Sequence, residues 1–276
     1  MVTFGSRGHD VVEGPTTPSQ LGEACERLGV RNLQLALGVS FPQWSDADRV
    51  NPGLLASIRR ELASHDVEVA IMGCYFNMIH PDLEERERGI AKFQAYLSVA
   101  RSLGCGIVAS ETGSVDPTFA YTEDNFTDEA FEAAVETIRR LVTVAEKTGV
   151  VVAVEPGVNH PIHDVDTVGR LLERVDSPCL GLILDPTALV TPSLADRQLE
   201  IVDQMLQRFS SRIVAAHLVD YRIQDGLIKR CNLGEGVMDA PAILDMIDRS
   251  RPGGYVITEF TTGDAIKDAM DKLNSH

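Results

Sequence analysis

Four polar residues sit where short apolar runs stop: Glu155 after VVAV, Asp185 after GLIL, His217 late in IVAAHL and Glu259 late in YVITEF. They are separated by 30, 32 and 42 residues, about one strand–helix repeat each. Brought together, the three carboxylates would repel and raise one another's pKa values. A divalent cation resolves that conflict. Oxygen ligands plus one imidazole suit Mn²⁺ or Mg²⁺, with Co²⁺ or Zn²⁺ also accommodated. Each residue has a blander reading as well. Asp185, before Pro186, could cap a short helix; His217 could be a satisfied core histidine; Glu155 and Glu259 could pair with arginines at a rim. One shared site accounts for all four at once.

Placing four such groups together requires a repeating scaffold. Candidate strands are VTFGS (2–6), NLQLAL (32–37), VEVAIMG (67–73), GIVASE (106–111), VVAVE (151–155), GLILD (181–185), IVAAHL (213–218) and YVITEF (255–260). Most are rich in Val, Ile and Leu, as strands covered on both faces should be. Helical spacing marks Pro18–Leu28, Asp82–Leu103 and Thr127–Thr148, each followed by a glycine stop, and further helices fit at 52–64, 164–175, 194–210, 239–250 and 263–274. Alternation implies a parallel sheet, and eight units fit a closed (β/α)8 TIM barrel, one domain over residues 1–276. In such a barrel the four polar strand ends converge at the C-terminal mouth. The competing fold is a doubly wound open sheet, but no GxGxxG or GxxxxGK[ST] loop follows the first strand.

The formal charge of −16, with no basic run to offset it, excludes nucleic acid and anionic membrane surfaces as natural partners. The five cysteines are scattered, with no CxxC pair, which reads as reduced intracellular thiols rather than a disulfide or zinc framework. MVTFGSRGHD lacks the pattern of a signal peptide, and no apolar run approaches a membrane span. The expectation is a cytoplasmic protein.

The chain resembles the xylose isomerase-like TIM-barrel superfamily, the sugar phosphate isomerase/epimerase group. VAVEPGVNHPIHD, LILDPTALV, AAHLVDYR with LGEGVMD, and YVITEF carry the likeness, with SRGHD, GCYFNMIHPD and ARSLGCGIVASETG in support. The resemblance implies that Glu155, Asp185, His217 and Glu259 are metal ligands, that Glu155 and Glu259 double as acid and base, and that Arg222 holds a substrate hydroxyl. It also implies a small sugar or polyol substrate and a homo-oligomer, a dimer or tetramer. Two positions depart from the family pattern: Ala188 stands where His or Asn is usual, and Val219 stands where HxKD has lysine.

The expected chemistry is a metal-dependent isomerase or epimerase reaction. The metal chelates an α-hydroxy ketone and stabilises an enediolate, while two glutamates move the proton. An inosose-type dehydratase is the alternative, as is a non-catalytic sugar-binding relative or complex subunit. His9, Asn77, Glu111 and His160 also fall at strand mouths and could line a polyol pocket; Phe41 and Trp44 could form an apolar wall. Glu235 reads as part of a Gly-flanked turn and Asp239 as a helix cap. No phosphate-cradling glycine loop stands out after the seventh or eighth predicted strand.

Overall fold

In the computed structural model, which describes residues 2–274, the apolar runs become strands β1 (Thr3–Arg7), β2 (Asn32–Ala36), β3 (Glu68–Gly73), β4 (Ile107–Glu111), β5 (Val151–Glu155), β6 (Leu180–Leu184) and β7 (Ile213–Leu218). A hairpin follows, β8 (Asp220–Gln224) and β9 (Leu227–Cys231), before β10 (Tyr255–Thr258). All but the hairpin strands are parallel and close into a barrel in the order β1-β10-β7-β6-β5-β4-β3-β2. This is the (β/α)8 fold, with helices packed outside.

The helices obey local rules. Pro18–Leu28 starts at a capping box between Thr17 and Gln20 and stops at Gly29, whose φ of 74° is the left-handed conformation glycine takes without strain. Asp128–Thr148 buries Phe131, Ala134, Val135, Ile138, Leu141, Val142 and Ala145, the stripe its spacing predicts. Asp239 caps Ala240–Ser250 through the Ala242 N–H. Two expected helices are shorter than their patterns. Residues 82–103 form a helix over Leu83–Val99 and then a tight 3₁₀ turn, and 194–210 begins with a 3₁₀ segment, Pro192–Arg197.

Inside the barrel, Ile71, Ala109, Ala153, Ile183, Ala215 and Ile257 pack together as a dry plug. Strand side chains alternate faces, so the residue two positions further on points inward again, one layer nearer the mouth. That step leads from Ala109 to Glu111, Ala153 to Glu155, Ile183 to Asp185, Ala215 to His217 and Ile257 to Glu259. On β1 the same step runs from Gly5, whose added Cβ would lie 2.8 Å from Ile257 Cδ1, to Arg7. The layer above the apolar plug is therefore polar almost all the way round.

The hairpin is absent from the sequence expectation. Asp225 and Gly226, both at positive φ, form its two-residue turn, a pairing typical of such hairpins. Its base is organised by buried Asp220. One carboxylate oxygen accepts the N–H groups of Tyr221 and Met238 at 2.8 and 3.0 Å, and the other accepts those of Gly234 and Gly236 at 2.8 and 2.9 Å. A Cβ on Gly236 would come within 2.1 Å of the same carboxylate, which explains the glycine.

Removing Asp220 leaves four N–H groups without their acceptor, so Asp220→Ala should cost roughly 2–4 kcal/mol. Hydrogen exchange checks this: amides of Gly234, Gly236 and Met238 should exchange faster while those of β5 and β6 do not. Unchanged protection in the loop would show that Asp220 is not its organiser.

Candidate metal centre and active site

The polar layer opens into a cavity of about 400 Å³ at the C-terminal mouth, bordered by Arg7, Gln34, Tyr75, Glu111, Glu155, His217 and Glu259 among others. Glu155 ends β5, while Asp185 and Glu259 lie one residue beyond the ends of β6 and β10, so the strands stop sooner than the apolar runs suggest. Asp185, His217 and Glu259 are buried. His217 Nδ1 lies 3.2 Å from a Glu155 oxygen and 3.4 Å from a Glu259 oxygen. Ligand atoms of Glu155, Asp185 and His217 all fall within 4.8 Å of one another.

Two features show that this donor set fits a divalent ion. His217 Nδ1 is fully buried yet makes no hydrogen bond, despite its two carboxylate neighbours. The other ring nitrogen, Nε2, is 2.9 Å from Gln34 Oε1, which orients the imidazole and leaves Nδ1 facing the carboxylates. Oxygen donors from Glu155 and Asp185 complete a hard, anionic set. Glu259 is engaged differently: Arg7 reaches one oxygen at 3.2 Å and Gln34 Nε2 donates to the other at 3.1 Å. Asp10 in turn grips Arg7 with two bonds, 2.7 and 2.9 Å.

The electrostatics follow from crowding. Burial opposes the positive charge on His217, but Glu259 and Glu155 outweigh it and raise its pKa to about 9. Burial and the charge of Glu155 push Asp185 up to about 7. Burial acts to raise Glu155 too, but His217 overcomes it and the net shift is downward. Glu259 is raised, chiefly by burial and secondarily by Glu155.

The remaining expected positions divide. Glu111 faces the cavity beside Glu155, its register partner. Asn77 borders the cavity but also braces a loop, donating to Ser114 O and accepting from the N–H groups of Ile79 and Ser114. His160 pairs its Nδ1 with Gly113 O at 2.8 Å and sits edge-on to Phe119, which borders the cavity. His9 stands edge-on to Tyr75, its Nδ1 buried without a partner. Arg222 is half-exposed on β8, paired with Glu235, and does not border the cavity. Phe41 and Trp44 stack on each other away from it. Arg7, Gln34 and Tyr75 escaped the sequence reading. A polar glutamine between Leu33 and Leu35, and Arg7 three residues before Asp10, were the available signals.

A family model described as a xylose isomerase-like TIM barrel matches residues 22–276. The chain belongs to that family. Solved structures of like fold include a D-tagatose 3-epimerase-like protein (TM-score 0.76, 16% identity, covering 99% of this chain and 96% of that one). The IolI protein with a bound zinc atom superposes with TM-score 0.74 at 16% identity over 99% of this chain and 96% of its own. The probable 3-DHS dehydratase AsbF of Bacillus anthracis, involved in petrobactin synthesis, gives the same TM-score and identity over 99% of both chains. At this identity the likeness is one of fold. Comparison with curated proteins finds no match. Among the described residues no helix is long and apolar enough to cross a membrane.

His217 and Asp185 both hold protons more tightly than their ordinary values of 6.5 and 3.8. In metal-free protein their contribution to stability is therefore greatest at low pH, and it drains as pH rises through about 7 for Asp185 and about 9 for His217. A cation needs the same groups deprotonated, so the gain in Tm from Mn²⁺ over chelator-treated protein should be larger at about pH 8.5 than at about pH 6. Thermal melts at both pH values test this; a gain that shrinks with pH would argue against metal at these groups.

Proposed function

We propose that this chain is a divalent-metal-dependent isomerase or epimerase of a small keto-sugar or keto-polyol. The observation that carries the reading is the pair Glu155 and Glu259, which approach one buried imidazole at 3.2 and 3.4 Å beside a cavity of sugar size. Glu155, Asp185 and His217 would hold the ion, with Glu259 as the fourth group. When bound, the ion supplies positive charge that acidifies the C–H next to the carbonyl of an α-hydroxy ketone.

The side chains then divide the proton work. Among the described residues Glu155 forms no ion pair with an arginine, and it would accept the C–H proton. Glu259, steadied by Arg7 and Gln34, would be the second proton carrier, on the opposite face of the substrate. Return of a proton to the same carbon from the opposite side gives an epimer, and return to the adjacent carbon gives an isomer. Substrate handedness decides which glutamate begins. Tyr75 receives the second Gln34 N–H bond at 3.1 Å, so its own hydroxyl proton is available to a substrate oxygen.

A dehydratase reading rests on Glu111. It adds another carboxyl to the same cavity, in register with Glu155, where it could protonate a departing hydroxyl.

Protein loaded with Mn²⁺ and incubated in D₂O with a panel of ketoses and inososes should exchange one substrate C–H, read by proton NMR. Glu155→Gln and Glu259→Gln should each slow that exchange by about 10²–10⁴-fold. Exchange untouched by both changes would sink the mechanism, and an unsaturated product absorbing in the near ultraviolet would select the dehydratase.

A further inference from the structure

Gln34 is a buried amide in the barrel wall, and Leu33 and Leu35 on either side of it belong to the main core rather than to the plug. The pairing of β2 with β3 slips by one residue at this point. Leu33 opposes Val69 but Gln34 opposes Ile71, which leaves Ala70 as the extra residue of a bulge. Bulges beside a site re-aim a side chain. Here the side chain meets three partners: Oε1 is 2.9 Å from His217 Nε2, and Nε2 donates to Glu259 Oε1 and to Tyr75 Oη, each at 3.1 Å.

That orientation has a consequence at each end. An amide oxygen only accepts, so Nε2 of His217 carries the proton, and Nδ1 is the nitrogen left to offer a lone pair to a cation. At the other end Tyr75 receives a hydrogen bond and must place its own proton elsewhere. Among the described residues no acceptor takes that proton, and Tyr75 borders the mouth cavity. The ring is fixed as well. A Cβ on Gly73 would lie 3.1 Å from Tyr75 Cζ and Oη, so the ring folds back over the end of β3, and His9 stands edge-on to it at 6.3 Å.

Turned over, the amide would set its oxygen against the Glu259 carboxylate, which already accepts from Arg7. Its N–H groups would face His217 and move the imidazole proton to Nδ1, and Tyr75 would donate to Gln34 instead of to a ligand. The orientation that readies Nδ1 for a cation is thus the one that frees the tyrosine.

We propose that Gln34 is a positioning residue coupling cation binding at His217 to a hydrogen bond from Tyr75, and that Tyr75 is a further catalytic residue. Its hydroxyl meets the substrate oxygen on which negative charge gathers as the C–H proton leaves. This rests on the isomerase reading and adds to it a neutral donor whose direction the cation site sets. The simpler view makes Gln34 a satisfied polar group of the barrel wall, with independent effects on the ion and on Tyr75.

Two measurements on the full chain decide. In Zn²⁺-loaded protein with ¹⁵N-labelled histidine, NMR should show the His217 proton on Nε2 and protected from solvent, with that protection lost in Gln34→Met. The second is a double-mutant cycle on Mn²⁺-loaded protein, read by D₂O exchange with D-fructose, D-tagatose and scyllo-inosose as probes. Tyr75→Phe should lower kcat for exchange about 10²-fold and leave KM and Mn²⁺ affinity nearly unchanged. Gln34→Met should weaken Mn²⁺ binding about 10-fold or more. At saturating Mn²⁺ it should slow exchange as much as Tyr75→Phe does, and the double variant should be no slower than Gln34→Met, with melts showing all variants folded. A proton on Nδ1 of the loaded protein, unchanged Mn²⁺ affinity in Gln34→Met, or losses that multiply in the double variant would each overturn the proposal. The isomerase reading fails separately, through absence of exchange in wild type, while the Nε2 proton and the Mn²⁺ affinities still decide whether Gln34 sets the imidazole.

Discussion

The structure turns on one electrostatic problem: the carboxylates of Glu111, Glu155 and Glu259 border one cavity above an apolar plug, and that of buried Asp185 lies within 4.8 Å of ligand atoms of Glu155 and His217. Two like charges about 4 Å apart cost about 4 kcal/mol at an effective dielectric near 20. Barrel geometry imposes the crowding, because the next inward layer above Ala109, Ala153, Ile183, Ala215 and Ile257 is contributed by those residues and His217. Such an arrangement persists only if charge is neutralised, by a retained proton, as the raised pKa of Asp185 allows, or by positive charge. Within the chain, the supply is His217 at the centre and Arg7 at the edge.

These two cations have different tasks. Arg7 is clamped by Asp10, so it acts as a fixed counter-charge that steadies Glu259. Burial works against its charge, yet the bond to Asp10 and the charge of Glu259 hold its pKa above the usual range. His217 is tied at only one ring nitrogen and leaves the other aimed at carboxylates with which it forms no hydrogen bond. On the proposed reading a proton there is exchanged for a metal ion, whereas the Arg7 charge cannot be removed. Gln34 links the two, touching His217, Glu259 and Tyr75 with one side-chain amide. In the proposed mechanism, such fixing of groups would lower the reorganisation cost of proton transfer.

Above the layer, a second level of organisation fixes the loops of the rim. Asp220 gathers four backbone N–H groups and so shapes the hairpin and the Gly-rich turn after it. Asn77 does comparable work on the opposite side, bracing the loop at Ser114. Neither residue needs to touch a substrate to matter. Both convert loop backbone, otherwise free to move, into a rim of defined shape.

Much of this was legible in the amino-acid order, because strand and helix periodicities are local properties. Runs such as VVAVE and GLILD, stripes such as that of Asp128–Thr148, and glycines at 29 and 149 determine the alternation of elements and hence the barrel. Polar residues breaking an apolar run, Glu155 and Asp185, announce themselves the same way. Arg7 and Gln34 do not. They belong to the site only because closure sets β1 between β10 and β2, bringing Arg7 to Glu259 across 252 positions and Gln34 to His217 across 183. The hairpin's faces were equally hidden. Its pairing register is a relation between segments, not a property of either one.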